Sequence, residues 1–262
     1  MHPLGGDQVE GRRAVLELLS VGKRRVRRVF MAEGQDPSPQ LDEIERLAGT
    51  MRVPLETVPR ARLDSQAKTF APQGVLAIAA PCAPVELDRL ASPRRGVPFL
   101  LVVAGVTDPQ NLGALLRSAA GAGVTGVVLA RHRAAHLSPS VVKVAAGAVE
   151  HLSFSVVGGI PSALTELQRA GLFSVGLAAD ADRSLYDLDL GDAPVALVVG
   201  GEEKGLAPLV RRRCDEMVAI PQRGGVASLN AASAGTVACF EIARRRAGIS
   251  SAGASPRPDS TR

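Results

Sequence analysis

The chain has no tryptophan, one tyrosine and six phenylalanines among 262 residues. So few rings argue against binding dominated by stacking on single-stranded bases. There are three cysteines, Cys82, Cys214 and Cys239, an odd number without CxxC or other metal spacing. That argues against a disulfide framework or a zinc site and points to a reducing compartment. No apolar run approaches the ~18 to 20 residues of a membrane span. The opening "MHPLGGDQVEGRRAV" lacks the apolar centre of a signal peptide. These absences predict a cytoplasmic protein with no membrane partner and no metal. Hydrophobic residues make up 46% and charged residues 22%, as in ordinary soluble proteins, at a length that allows one large domain or two smaller ones. The net charge is +5, carried mostly by arginine, which favours a polyanionic partner.

Short elements alternate along the chain. Residues 9 to 80 read as a small α/β unit. It has helical spacing at Val9, Val15, Leu16, Leu18 and Leu19 and a strand around Val26, Val29 and Phe30. A Ser/Pro-started helix in "SPQLDEIERLAGTM" follows, then strands in "VPLETVP" and "GVLAIAAP". "CAPVELDRLASPRRGVP" has no sustained period and reads as a linker with room for one helical turn. From Pro98 the strands are stronger: "FLLVVAG", "GVVLA", "LSFSVVG", "LFSVGLA", "VALVVGG" and "EMVAIP". Helical segments such as "SPSVVKVAAGAVE", "IPSALTELQRAG" and "LAPLVRRRCDE" lie between them, and "SLNAASAGTVACFEIARRRAG" closes the series. Strands apolar on both faces, alternating with helices, predict a largely parallel sheet covered on both sides. The expected division is a small α/β unit over 1–80, a linker over 81–97, a main domain over 98–248 and a disordered tail over 249–262.

Some motifs fall away on inspection. "GAGVTG", Gly121 to Gly126, satisfies GxGxxG, but a helix precedes it and a strand follows, the reverse of a dinucleotide fingerprint. These glycines read as a helix end, with Gly121 or Gly123 left-handed. His132 and His136 have no acid beside them and read as surface histidines. No GxSxG elbow anchors hydrolase chemistry.

Three segments resist a purely structural reading. In "TDPQNLGALLRSAAGAG", Asp108 and Pro109 start a helix whose apolar stripe is Leu112, Leu115, Leu116 and Ala119. Asn111 and Arg117 flank that stripe, about 120° apart by the 3.6-residue period. "VALVVGGEEKGLAP" ends a buried strand at Gly200 and Gly201 and sets Glu202, Glu203 and Lys204 at the carboxyl edge, where ligands of open α/β sheets collect. In "IPQRGGVASLNAASAGTVA", Ser228 is the expected helix N-cap and Asn230 falls in the first turn. Ala231, Ala234, Gly235 and Ala238 form a small-residue face suited to close packing.

In this order the three segments resemble the SpoU branch of the SPOUT RNA methyltransferases. Asn111, Gly113 and Arg117 match its N-x-G-x-x-x-R motif. Gly200, Glu202 and Gly205 match its G-x-E-x-x-G motif, and Ile220, Pro221, Ser228, Leu229 and Asn230 match its Ile-Pro and Ser-Leu-Asn motif. The resemblance implies an α/β fold with a deep trefoil knot, a homodimer, and S-adenosyl-L-methionine held by the second and third motifs. Gly200, Gly201, Gly205, Ile220 and Leu229 are the implied cofactor contacts. Arg117, Asn111, Glu202, Ser228 and Asn230 are the implied catalytic set. The N-terminal unit is similar to a ribosomal-protein-like RNA-binding domain. Many members carry a Ser where this chain has Ala232, so that role is not carried over.

The implied reaction is methyl transfer to a ribose 2′-OH of RNA, most simply a guanosine of 23S rRNA. Arg117 is implied as the base, but arginine side chains keep their proton to above ~12. The alternative is that it clamps the neighbouring phosphate and stabilises the developing alkoxide, with Asn111 orienting the hydroxyl or Arg117, and Glu202 holding a guanidinium of its own or of the other subunit. The run "GKRRVRR", Gly22 to Arg28, is a candidate phosphate-binding surface or a solvated charge run. Competing readings are a tRNA 2′-O-methyltransferase and a non-catalytic RNA-binding ribosome-assembly factor.

Overall fold

The computed structural model describes residues 4–92, 96–132, 136–202, 204–225 and 228–248. Glu203 and the tail expected to be disordered, 249–262, lie outside the described residues.

The N-terminal domain is a small mixed sheet. It runs Gln8–Glu10 (β1), Arg12–Val21 (α1), Val26–Ala32 (β2), Pro39–Thr50 (α2), Leu55–Val58 (β3), Arg60–Gln66 (α3) and Val75–Ala79 (β4). The strand order is β1-β4-β2-β3, with only β2 and β3 parallel. Helix α2 starts as its sequence dictates: the Ser38 side chain accepts from the Leu41 N–H, and Pro39 fills the first turn. Val9 departs from expectation. It lies in β1 rather than in the helix, because Gly11 at φ 101° breaks the chain between the two elements. Helix α3 was not visible as a period, since it buries only Leu63.

The segment predicted as a linker contains Leu87–Ala91 (α4), which buries Leu87, Leu90 and Ala91 against the second sheet. The expected single helical turn is there, packed as part of the core.

The C-terminal domain follows as Phe99–Ala104 (β5), Pro109–Gly121 (α5), Gly126–Ala130 (β6), Pro139–Val144 (α6), Phe154–Val157 (β7), Ile160–Arg169 (α7), Phe173–Leu177 (β8), Arg183–Ser184 (β9), Val195–Gly200 (β10), Pro208–Arg211 (α8), Glu216–Ala219 (β11) and Ala231–Arg246 (α9). Its strands pair in the order β7-β6-β5-β10-β8-β11-β9, and every pairing is parallel. Alternate residues of the central strands enter opposite cores. Leu101, Val103, Leu197 and Val199 pack with α5 and α9, while Leu100, Val102, Ala196 and Val198 pack with α4, α7 and α8. Burial on both faces is the reason these strands read as unbroken apolar runs. "GAGVTG" ends a helix as expected: α5 stops at Gly121 and Gly123 takes φ 80°. Among the described residues, no helix is long and apolar enough to cross a membrane.

The two domains share one hydrophobic cluster. Across it Arg24 pairs with Glu150, their side chains 9% and 2% exposed. Arg24 Nη1 also donates to the carbonyls of Gly6 and Ala80, at 2.6 and 2.8 Å. His151 and Glu17 make a second, more open contact at 3.0 Å.

Candidate functional site

At the carboxyl edge of β8, β10 and β11 a cavity of about 260 Å³ opens. The rule for open parallel sheets places ligands at this edge. One wall is backbone. A Cβ on Gly201 would stand 2.2 Å from the Gly105 carbonyl oxygen, and one on Gly200 would stand 2.4 Å from the Gly205 carbonyl carbon. The turn between them is closed by the Gly205 N–H donating to the Gly201 carbonyl at 3.0 Å. The strand end and the loop after it can approach this closely only with glycine at both positions.

The cavity gathers Gly200, Gly201, Glu202, Gly205, Ile220, Ser228 and Leu229 from the second and third sequence segments. Leu177, Ala178, Ala179, Gln222, Ala231 and Ala234 also line it and were not anticipated. "LFSVGLAAD" had a usable signal: it is a buried strand running into a small-residue turn, beside β10 in the same sheet. Apart from Glu202, Gln222 and Ser228 the lining is apolar or backbone, which suits a flat organic ligand better than an ion. No group of acids, histidines or cysteines able to hold a metal exists among the described residues.

A chain of side-chain hydrogen bonds ties the three segments together. Asn111 Nδ2 donates to Glu202 Oε1 at 2.6 Å, and Asn230 Nδ2 donates to Asn111 Oδ1 at 2.8 Å. Asn230 Oδ1 accepts the Ala232 and Ser233 N–H groups at 2.8 and 3.3 Å. The orientations are fixed from both ends: a carboxylate only accepts and a backbone N–H only donates, so neither amide can be reversed. The cap of α9 is therefore Asn230 rather than Ser228, which lies before the helix and lines the cavity. The capping side chain has to reach back to the second and third helical N–H groups, and the helix begins at Ala231. Within the chain, Glu202 Oε1 is engaged by the Asn111 amide.

Helix α5 carries the first segment as expected. Asp108 caps it by accepting from the Gln110 N–H at 3.1 Å, and Leu112, Leu115, Leu116 and Ala119 are fully buried. Gly113 serves packing: a Cβ there would meet Val144 of α6 at 2.6 Å. Arg117 does not join the other site residues. It points into a separate cleft of about 550 Å³ between the domains, with Arg13, Lys68, Phe70 and Lys143. Among the described residues it makes no hydrogen bond or ion pair.

The basic run splits into different roles. Arg24 is committed to Glu150, and Arg28 pairs with Glu56 at 3.3 Å and lies over the Phe30 ring. Arg25 and Arg27 remain exposed. His132 and His136 are exposed. Burial raises the Cys82 and Cys214 thiols to about 11 and the Cys239 thiol to about 12, so none is poised as a nucleophile.

Residues 98–240 match the model of the SpoU rRNA Methylase family, and residues 8–85 match that of the RNA 2′-O ribose methyltransferase substrate-binding domain. The chain is 40% identical over 243 residues to the 23S rRNA (guanosine-2′-O-)-methyltransferase RlmB of Pseudomonas aeruginosa, covering 92% of this chain and 97% of that one. Against the enzyme of the same name from Pectobacterium atrosepticum it is 38% identical over 250 residues, covering 92% and 98%. Among solved structures it superimposes on the SpoU methyltransferase AviRb of Streptomyces viridochromogenes, crystallised with the cofactor AdoMet. The TM-score is 0.75 at 28% identity, covering 92% of this chain and 90% of that one.

Proposed function

The chain belongs to the SpoU family of RNA 2′-O-ribose methyltransferases, and from that premise we propose that it methylates a guanosine ribose of 23S rRNA using S-adenosyl-L-methionine. Relatives named for that reaction align with nearly its whole length, N-terminal domain included. The observation that carries the reading is the Asn230–Asn111–Glu202 chain, which joins three separate segments beside one glycine-walled cavity.

The residues present fit the cofactor. Gly200, Gly201 and Gly205 leave backbone groups open to a ligand, and Leu177, Val218, Ile220 and Leu229 offer apolar surface for an adenine. When bound, S-adenosyl-L-methionine supplies an electrophilic methyl group on a sulfonium, so the protein's contribution is chiefly positioning. Asn111, Glu202 and Asn230 hold the segments in register around the cavity. Ser228 contributes a hydroxyl to its lining. Arg117 lies in the separate interdomain cleft; brought in the homodimer to the cavity of the second copy, its guanidinium grips the phosphate beside the target ribose and stabilises the alkoxide as the 2′-OH proton passes to water. This is the clamp role, favoured because a free, solvent-facing guanidinium is a strong donor and a poor base.

On this reading residues 1–80 bind the RNA, 81–97 connect, and 98–248 are catalytic. The C-terminal domain is tied in a deep trefoil knot and acts as a homodimer in the cytoplasm. The return of α9 across the sheet onto α5, after the chain has formed β11, supports such threading. The exposure of Phe240, 49%, and Leu229, 38%, supports a partner surface. The test is transfer of labelled methyl to unmodified 23S rRNA, with the modified nucleotide mapped. One 2′-O-methylguanosine is expected. Methylation of tRNA alone would overturn the substrate, and failure to methylate any RNA would overturn the reading.

A further inference from the structure

The loop from Lys68 to Gln73 joins α3 to β4 at the edge of the interdomain cleft. It contains two of the four non-glycine residues at positive φ among those described, Ala71 at 52° and Gln73 at 57°. Such a shape persists only where the surroundings enforce it. Here they do so from both domains. Glu10 of β1 is fully buried, and its carboxylate accepts from the backbone N–H groups of Lys68 at 2.7 Å and Thr69 at 3.1 Å, from the Thr69 hydroxyl and from Gln8 Nε2 at 2.8 Å. From the C-terminal domain, the Lys143 ammonium donates to the carbonyls of Phe70 and Ala71, the latter at 2.7 Å, and to Thr69 Oγ1 at 3.2 Å.

This scaffold displays an apolar ring in water. Phe70 is 100% exposed, and none of the other five phenylalanines exceeds 49%. Its ring stands at a cleft of about 550 Å³ that also holds Arg13, Lys68 and Arg117. The cleft is cationic, and Glu10, its one acid, spends both oxygens on the loop.

We propose that Phe70 is a stacking platform for an unpaired base next to the target nucleotide, with Arg13 and Lys68 receiving the adjoining phosphates. The inference rests on the RNA-methyltransferase reading of Arg117. Every base has a π-face, so one ring fixes which nucleotide lies over Arg117 without reading its identity, while the cations supply most of the affinity. The general poverty in aromatics is consistent with this: a single ring at one place sets register.

The test uses the full-length protein and an in vitro transcript of 23S rRNA. Phe70→Ala is expected to raise KM for the transcript roughly five- to hundred-fold, the range of one base–aromatic stack. The kcat and the affinity for S-adenosyl-L-methionine should stay within about two-fold, and Phe70→Tyr should restore KM. Because the chain has no tryptophan, Phe70→Trp creates a single tryptophan, excited at the red edge where the one tyrosine does not absorb. Its emission is expected to be quenched by the transcript and not by heparin, a polyanion without bases. Equal quenching by heparin, no quenching by the transcript, or a normal KM for Phe70→Ala would overturn the stack. So would a change in sedimented mass in Phe70→Ala, which would assign the ring to a second copy of the chain. If the wild type methylates RNA while the stack fails, the functional reading stands. If the wild type methylates none, both fall.

Discussion

The two cavities reached from α5 are built in opposite ways. The cavity at the sheet edge is walled by backbone and small or apolar side chains of one domain, and glycines set its shape. The interdomain cleft is walled by long polar and charged side chains from both domains, and its loop is held by a buried carboxylate on one side and an ammonium on the other. The first arrangement suits a small ligand that must be held in one pose. The second suits a polyanion met along a surface. Arg117 belongs to the second, although its motif partner Asn111 is bonded to the first.

That division can be broken most sharply at Arg117. Arg117→Ala should lower kcat by about a thousand-fold or more, the scale of losing a charged transition-state contact. S-adenosyl-L-methionine affinity, measured by calorimetry, should stay within a few-fold. Equal loss of both would merge the two cavities functionally.

The next largest effect is expected where the domains join. Arg24→Ala leaves Glu150 buried without its partner and should cost about 3–5 kcal/mol in urea unfolding. Replacing both by apolar residues should recover much of that, because the penalty lies in the unpaired charge. If Arg24→Ala unfolds like wild type, the cleft is not held by this pair.

Gly201→Ala tests the sheet-edge cavity. The added carbon meets the Gly105 carbonyl, a backbone atom that yields little, so a loss of about 1–3 kcal/mol is expected from overpacking. Cofactor affinity should fall while binding of the rRNA transcript, read in a filter assay, is unchanged. The smallest effect is set for Asn230→Ala, which removes the α9 cap at about 1 kcal/mol. It also removes the donor to Asn111 Oδ1 and leaves Asn111 held by Glu202 alone, so kcat should drop further than the stability change explains.

Much of the fold was legible because its signals are local. Ser38–Pro39 and Asp108–Pro109 start helices where they stand, and the stripe Leu112, Leu115, Leu116 and Ala119 faces the core as its spacing requires. Glycines and small residues at the carboxyl edge of β10 likewise marked the cavity. Misreadings arose where the deciding partner is distant in sequence. Val9 follows a helical spacing but pairs with Ala77 in a sheet. Ser228 has the chemistry of a cap, yet the helix starts three residues later. Arg24 looks like one more cation in a basic run until Glu150, 126 residues away, is folded against it.

The sequence by itself determined the alternation of elements, the glycines that end β10 and the three motifs, since each is written in residues a few positions apart. Tertiary structure alone decided that Asn111, Glu202 and Asn230 form one hydrogen-bonded chain. It also placed Arg117 in a different cleft from them and left Phe70 bare above that cleft. The physical reason is one of range. Spacing and capping act within a turn or two of chain. A directional bond between side chains 91 or 119 residues apart exists only once the sheet has brought their elements together.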